Sequence, residues 1–187
     1  QDITVNVTNL NDNTPLITSS STFTVEENQT SIGLVTATDA DNDSLTYSIS
    51  GSEIIIDSST GVLTFVSAPD YETKSSYSAT VTVSDGTNSD SQDIIINIVD
   101  SNDSAPVFTS SSVFTVEENQ TSIGTVTATD ADSDTLTYTL SGTDASSMNL
   151  DASSGVLSFK SAPDYETKSS YSATVTASDG INSTDQD

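Results

Sequence analysis

The chain has 187 residues, with 28 acidic residues against three lysines and no histidine or cysteine, and its formal net charge is −25. A chain so poor in cations is not expected to bind nucleic acid or to contact an anionic membrane directly. Without histidine, a histidine base, a serine triad and a typical zinc site are excluded, and without cysteine there are no disulfides. The acidity fits calcium binding, or a surface kept soluble by charge repulsion.

Short runs with apolar residues at every second position predict half-buried strands, and no helical period occurs anywhere. After a first run at residues 3–7, seven runs follow in chain order, separated by turn clusters of Ser, Asp, Asn and Gly. They lie near residues 23–25, 31–38, 45–50, 53–57, 62–66, 77–84 and 92–99. Seven short strands in about 90 residues predict an all-β fold, an antiparallel Greek-key β-sandwich.

A long stretch of the sequence occurs twice. "STFTVEENQTSIGLVTATDADND" at residues 21–43 returns as "SVFTVEENQTSIGTVTATDADSD" at residues 112–134, and "SAPDYETKSSYSATVT" at residues 67–82 returns at residues 161–176. The second copy carries three extra residues within "SGTDASSMNL", which we expect to form a surface loop. A repeat of this length indicates tandem copies of one domain.

The phrase Gln-Asp occurs at the same point of each copy and at the start of the chain, which predicts the domain boundaries. Residues 1–14 are expected to be the last strand and linker of a preceding repeat, residues 15–105 a repeat with its linker, and residues 106–187 a second repeat lacking its last strand. The unpaired strand at residues 1–8 could then add head-to-tail to the second copy of another molecule, or the second copy is left frayed.

Acidic phrases recur in the same order in each copy: "VEEN", "DAD", "PDYE" and "SDG", with "NLNDNTP" or "DSNDSAP" as the linker. This ordered set resembles the cadherin repeat, and the resemblance covers almost the whole chain. It implies cadherin/immunoglobulin-like sandwich domains and an extracellular location, on a cell surface or secreted. The close identity of the copies and their serine-, threonine- and aspartate-rich composition resemble the bacterial versions, so the expected parent is a large surface adhesin.

The resemblance also implies Ca²⁺ as the cofactor, with three ions at a complete junction between two repeats. The ligands implied for the junction between the two copies are Glu27, Asp70, Glu72, Asp100, the Ser101 carbonyl, Asn102, Asp103, the Ser104 carbonyl, Asp130, Asp132 and Asp179. Eight of these residues carry carboxylates that would repel one another without a metal. Three divalent ions would make the filled cluster nearly neutral.

Two further sites are expected to be incomplete. Around the earlier linker the implied ligands are Asn11, the Asn13 carbonyl, Asp39, Asp41 and Asp85. Because Asn9 replaces the first linker Asp, that site is expected to hold one calcium or fewer. In the second copy the implied ligands are Glu118, Asp164 and Glu166, which would need a following linker.

Two other motifs in the acidic stretches are rejected. "DADND" has the first three acids of an EF-hand loop, but Ser44 stands where that loop needs glycine and Ser50 where it needs glutamate. Asp70 with Glu72 could form a glycosidase pair, but the pair recurs in both copies and the chain has no tryptophan for stacking on sugar. No enzyme activity is expected.

The predicted function is mechanical: calcium converts a flexible acidic chain into stiff extender and adhesion modules. The expected partners are the neighbouring repeats of the same chain. The alternative is direct recognition, in which the repeats bind a polysaccharide or the cadherin-like repeats of a partner.

Overall fold

Strands built from these alternating runs, paired antiparallel in all but one case, make up the structure, a computed structural model that describes residues 1–187. The chain divides into two units, Gln1–Ser101 and Asn102–Asp187. Each unit is all-β, apart from one short 3-10 turn at Ala145–Ser147. The all-β β-sandwich prediction is confirmed. No helix is long and apolar enough to cross a membrane.

Unit 1 contains nine strands in three sheets. They are β1 (Leu16–Ile17), β2 (Thr22–Glu26), β3 (Ser31–Leu34), β4 (Ala37–Thr38), β5 (Thr46–Ile49), β6 (Ile54–Ile56), β7 (Val62–Phe65), β8 (Ser76–Ser84) and β9 (Ser89–Val99). The largest sheet has the order β2-β9-β8-β5, a second has the order β3-β7-β6, and β1 pairs with β4. Strand β9 is central, because β8 pairs with it antiparallel and β2 pairs with it parallel.

The core of unit 1 is a single cluster between the two larger sheets. Strand β9 contributes Ile94, Ile96 and Ile98, which are 0%, 0% and 5% exposed. They pack with residues of the other strands, including Val25 and Phe65. Fully burying an isoleucine side chain stabilises a fold by about 1.5–3 kcal/mol, so β9 makes one of the largest contributions to this core.

Unit 2 repeats the plan with fewer paired residues. Its strands are β10 (Val107–Phe108), β11 (Ser122–Thr125), β12 (Ala128–Thr129), β13 (Thr137–Ser141), β14 (Met148–Leu150), β15 (Val156–Phe159), β16 (Thr174–Ser178) and β17 (Ser183–Gln186). The sheets have the orders β11-β15-β14, β13-β16-β17 and β10-β12. The 3-10 turn lies within the three-residue insertion that the sequence comparison located.

The strand runs predicted for the first copy match the structure with two differences. The predicted run at residues 31–38 is broken at Val35 and Thr36, so that β3 and β4 enter different sheets. The two-residue strand β1 was not predicted, because two residues are too short to show an alternation. The proposed origin of residues 1–14 in a preceding repeat stays a prediction; residues 1–8 form no strand here.

The hairpin turn between β6 and β7 recurs between β14 and β15, and an aspartate followed by a glycine organises both. One Asp151 oxygen accepts hydrogen bonds from the N–H and hydroxyl groups of Ser153 and Ser154 at 2.8–3.1 Å. The glycine has φ +76° at Gly61 and +69° at Gly155, in the left-handed region that favours glycine. A Cβ atom at Gly61 would lie 2.3 Å from the Val35 carbonyl oxygen, so no side chain fits.

We expect Gly61→Ala to lower the free energy of unfolding of unit 1 by at least about 1–3 kcal/mol, because the methyl group meets backbone and the left-handed φ is strained. Gly86→Ala is the matched control. Gly86 has φ +96°, but nothing lies within 4 Å of the added Cβ atom, so only backbone strain lowers the stability of this variant. Urea unfolding followed by circular dichroism measures both. Equal losses in the two variants would contradict the close contact at Gly61.

The hydrogen bonds from Ser154 and Ser153 lower the pKa of Asp151 from 3.8 to about 2. A carboxylate whose pKa is lowered on folding contributes stability above its unfolded pKa, and that contribution is lost as the pH falls through the folded pKa. We therefore expect an NMR titration of the Asp151 carboxyl carbon to show a midpoint near 2, and Ser154→Ala to move that midpoint toward 3.8. A midpoint that Ser154→Ala leaves unchanged would contradict this account.

Candidate metal centre

All three lysines of the chain bind groups away from the predicted acidic sites. Lys74 pairs with Glu53 and lies 4.2 Å from the Tyr77 ring centroid. Lys168 pairs with Asp144 and lies over the Tyr171 ring. Lys160 donates to the Ser146 carbonyl oxygen. Because the chain has no other cationic side chain, the acidic clusters have no protein counter-charge.

Asp39, Asp41 and Asp43 form the first cluster, the Asp39 cluster, with one carboxylate oxygen of each within 4.8 Å of the others. The loop closes because one Asp39 oxygen accepts the N–H groups of Asp41 (2.9 Å) and Asp43 (3.2 Å). Asn42 has φ +61°, and asparagine adopts this left-handed conformation more readily than most residues. The fold therefore makes alternate aspartates converge.

Within this cluster two neighbouring acids have opposite pKa shifts. Burial raises the pKa of Asp43, and the negative charges of Asp39, Asp41 and Asp85 raise it further. The pKa of Asp41 is lowered, mainly because the N–H group of Asn13 donates a hydrogen bond to the carboxylate. Partial burial opposes this shift but does not cancel it. The charge of Asp43 is therefore less compensated than that of Asp41, and Oδ2 of Asp43 is buried without a hydrogen-bond partner.

The earlier linker packs onto the Asp39 cluster and belongs to the same unit. One Asp41 oxygen accepts the N–H groups of Asp12 (3.0 Å) and Asn13 (2.8 Å). The Asn11 side chain donates to the Asp85 carbonyl oxygen at 3.3 Å. The structure thus brings together the five residues predicted around this linker.

Glu27, Glu72 and Asp100 form the Glu27 cluster, the second cluster of unit 1. Glu27 is only 3% exposed, and its two oxygens accept the N–H groups of Tyr71 and Ser101, each at 2.9 Å. Asp70, also predicted here, lies outside the group. Its oxygens accept the N–H and hydroxyl groups of Thr73 at 3.0 Å, because Asp70 begins a turn.

In unit 2, Asp130, Asp132 and Asp134 form the Asp130 cluster with the same loop geometry. One Asp130 oxygen accepts the N–H groups of Asp132 (3.1 Å) and Asp134 (3.3 Å). Asp132 is 8% exposed, and one of its oxygens accepts the N–H groups of Asp103 (2.9 Å) and Ser104 (2.8 Å). The linker residues that follow Ser101 therefore join this cluster.

Glu118, Asp164 and Glu166 form the Glu118 cluster, also in unit 2. All three are exposed, and Glu118 accepts only one hydrogen bond from a backbone N–H group, from Tyr165 at 3.1 Å. In unit 1, Ser101 supplies the second such bond to the equivalent residue, Glu27. Strand β9 leads the chain to Ser101 in unit 1. Residues 102–187 contain no counterpart of its second half, Ile94–Val99, so they provide no equivalent of the Ser101 hydrogen bond.

Four residues at these sites were missed in the sequence. Asp43 and Asp134 are the third acids of the "DADND" and "DADSD" loops. The Asn88 amide donates to the Asn11 side-chain oxygen (3.3 Å) and the Asn13 carbonyl oxygen (3.2 Å). Asn182 likewise donates to Asn102 (2.8 Å) and contacts Asp179, which places the predicted Asp179 beside the linker. The repeated phrases "SDGTN" and "SDGIN" contained this signal.

The clusters have the chemistry of a hard-cation site. Their donors are all oxygens, which suit calcium rather than a softer metal. Four carboxylate oxygens are buried without a hydrogen-bond partner: those of Asp39, Asp43, Asp130 and Asp132. Leaving a buried charged oxygen unpaired is costly, and a bound cation removes that cost. The residues present therefore fit Ca²⁺.

Tandem β-sandwiches with oxygen clusters beside their linkers define a class of extracellular repeat domains. The family model described as "Cadherin domain" matches residues 21–99 and 112–187, and the chain belongs to this family. Its members are adhesion modules of large proteins rather than enzymes.

Relatives and solved structures agree with this assignment. Human "Protocadherin Fat 4" is 39% identical over 160 residues, which cover 76% of this chain and 3% of that protein. Human "Cadherin EGF LAG seven-pass G-type receptor 2" is 33% identical over 197 residues, covering 95% and 7%. The structure of mouse Cadherin-23 EC22-24 superposes with a TM-score of 0.77 at 28% identity, covering 95% of this chain and 63% of that one. These relatives are animal proteins and lend no support to the predicted bacterial source.

We expect Asp43→Asn to raise the melting temperature of unit 1 by a few degrees in EDTA. A carboxyl whose pKa is raised on folding opposes folding at neutral pH, and the amide carries no charge. In calcium the same change should remove a ligand and reduce the stabilisation by the metal. Calorimetry in both buffers measures the two effects.

The matched control is Asp93→Asn. Asp93 accepts a hydrogen bond from the Thr80 hydroxyl at 2.7 Å on the exposed face of β9, and an amide oxygen can still accept it. This variant should change the melting temperature little in either buffer. A lower melting temperature of Asp43→Asn in EDTA would show that repulsion between the carboxylates of the cluster does not destabilise unit 1.

Proposed function

We propose that these repeats bind calcium through their acidic clusters and that calcium restricts the linker between them. The repeats would then serve as stiff extender and adhesion modules of a larger cell-surface protein. The observation that carries the proposal is the set of buried, unpartnered carboxylate oxygens, which recurs in the same loop of both units.

The linker is the element on which calcium would act. Asp100 belongs to the Glu27 cluster of unit 1, while Ser104 bonds to Asp132 in the Asp130 cluster of unit 2. Ligands of both clusters are therefore separated by only a few residues of chain. A short acidic linker without metal repels itself and samples many conformations. Calcium at both ends would neutralise it and hold each end in place.

The residues expected to bind calcium keep distinct roles. Carboxylates of the clusters provide charge, while Asn102 and the carbonyls of Ser101 and Ser104 complete the coordination without adding charge. Asp70 would have to turn away from Thr73 to join them. The incomplete sites, around Asn11 and around Glu118, would hold fewer ions.

The setting of the whole protein is part of the proposal. The chain spans 3% to 7% of the relatives compared above, so their assemblies say nothing direct about this protein. The near-identity of the two copies favours a repeated spacer, since a recognition surface has no need to recur almost unchanged. The bacterial adhesin setting stays a prediction from composition.

We expect millimolar calcium to raise the free energy of unfolding by roughly 2.7 kcal/mol for each independent site at 100 times its dissociation constant. Asp132→Asn should lose a large part of this gain, because it removes charge from a buried ligand. Thermal unfolding in calcium and in EDTA measures the stability. Small-angle X-ray scattering of the same samples should show a narrower spread of particle lengths in calcium.

Asp185→Asn is the matched control, because Asp185 accepts a hydrogen bond from the Thr176 hydroxyl and belongs to none of the clusters. It removes the same charge and should keep the full calcium response. Equal calcium responses in Asp132→Asn and Asp185→Asn would show that the clusters are only surface charge. A stability gain with unchanged scattering would separate calcium binding from stiffening and would count against the mechanical role.

A further inference from the structure

The loops of the Asp39 and Asp130 clusters differ in a single residue, which has a left-handed backbone conformation in both. The first loop reads "DADND" from Asp39, and the second reads "DADSD" from Asp130. The residue that differs lies between the second and third aspartates, and φ is +61° at Asn42 and +64° at Ser133. Unit 1 and unit 2 therefore make the same turn with different residues.

Serine is less suited to this turn than asparagine. A non-glycine residue seldom has a positive φ, and asparagine is several-fold enriched among the residues that do. Four non-glycine residues of the chain have a positive φ, and the three besides Ser133 are all asparagine: Asn28, Asn42 and Asn119. Ser133 therefore holds a left-handed conformation without the residue type that the chain uses for it elsewhere, and this strains the backbone.

Only the backbone preference separates Asn42 from Ser133, because both residues are exposed and neither side chain joins a hydrogen bond of its loop. The hydrogen bonds around Ser133 are the longer ones. The first aspartate of the loop accepts the N–H groups of the second and third aspartates at 2.9 and 3.2 Å in unit 1, and at 3.1 and 3.3 Å in unit 2. In unit 1 Asn42 also donates its own N–H group to the Asp39 carbonyl oxygen at 3.4 Å. The loop around Ser133 is thus held less tightly.

Electrostatic repulsion favours the opening of both loops. In each loop, one carboxylate oxygen of every aspartate lies within 4.8 Å of the other two, so three negative charges repel one another without a cation. Opening separates these charges and releases the left-handed residue. At Ser133 the release of backbone strain adds to the repulsion, whereas at Asn42 there is less strain to release. The loop of the Asp130 cluster should therefore open more readily.

We propose that Asn42 and Ser133 are positioning residues, which set the fraction of time that each loop holds its three aspartates together before a cation binds. Because a cation binds the closed loop, the apparent dissociation constant rises as the closed fraction falls. This effect on affinity rests on the proposed function, whereas the difference in loop opening does not. Two sites with the same three acids then differ for a reason that lies outside their ligands.

Amide exchange with solvent, measured by NMR on the whole chain in EDTA, tests the proposal. The protection factors compare the N–H groups of the second and third aspartates of each loop with those of an unstructured peptide of the same sequence. We expect Ser133→Asn to raise these protection factors in unit 2 about threefold, and Asn42→Ser to lower them in unit 1 by a similar factor. Ser133→Gly should also raise them, because glycine adopts a positive φ without strain.

Thr135→Asn is the matched control. It introduces the same side chain at another exposed position of unit 2, just after the loop, where φ is not positive. Protection of the loop should stay unchanged in this variant. Protection that neither Ser133→Asn nor Asn42→Ser alters would overturn the proposal, and so would an equal increase in Thr135→Asn.

A calcium titration followed through the same amide signals separates this inference from the proposed function. Ser133→Asn and Ser133→Gly should both lower the apparent dissociation constant at the Asp130 cluster, by at most the change of about threefold in protection. A decrease in Ser133→Asn alone would make the new amide oxygen a ligand and would overturn the positioning role. Exchange that changes as expected while no variant binds calcium would overturn the proposed function and leave this inference intact.

Discussion

The main constraint on the loops beside the linkers is electrostatic: several carboxylates are held close together, and no cationic side chain of the protein neutralises them. In both units the loop with alternate aspartates is built in the same way: backbone N–H groups satisfy one oxygen of the first aspartate, and the other oxygen is buried without a partner. The backbone thus fixes the directions of the acids but does not neutralise them. The chain itself supplies no positive charge at these loops, and an all-oxygen site of high negative charge suits a hard divalent cation.

The two units share most of their sequence, so differences between them report on context. Glu27 and Glu118 stand in identical phrases, yet the first is buried with two hydrogen bonds from backbone N–H groups and the second is exposed with one. Val25 and Val116 differ in the same direction. In each pair the local sequence is the same, but only the unit 1 residue lies beside a complete β9. Burial of these residues is therefore a property of the completed sheet, and the turn motif alone does not produce it.

Much of the fold could be predicted because β structure leaves a period of two in the sequence, and the long strands β8 and β9 show it clearly. The break at Val35 and Thr36 could not be predicted, since the same alternating residues continue while the chain passes from one sheet to another. At the sites, the motifs located most of the acids that the structure groups together. They did not show that Asp70 bonds to Thr73, or that Asn88 and Asn182 join linker to loop, because hydrogen bonds of this kind depend on where the turns place the donors.

The strand that completes the unit 1 core and the linker residues that join the Glu27 cluster are consecutive in the chain, so strand pairing and cluster formation are coupled. In unit 1 the end of β9 leads directly to Asp100 in the Glu27 cluster and to Ser101, which bonds to Glu27. By linkage, any cation that binds the Glu27 cluster better when β9 is paired than when it is not stabilises the paired strand by the same free energy.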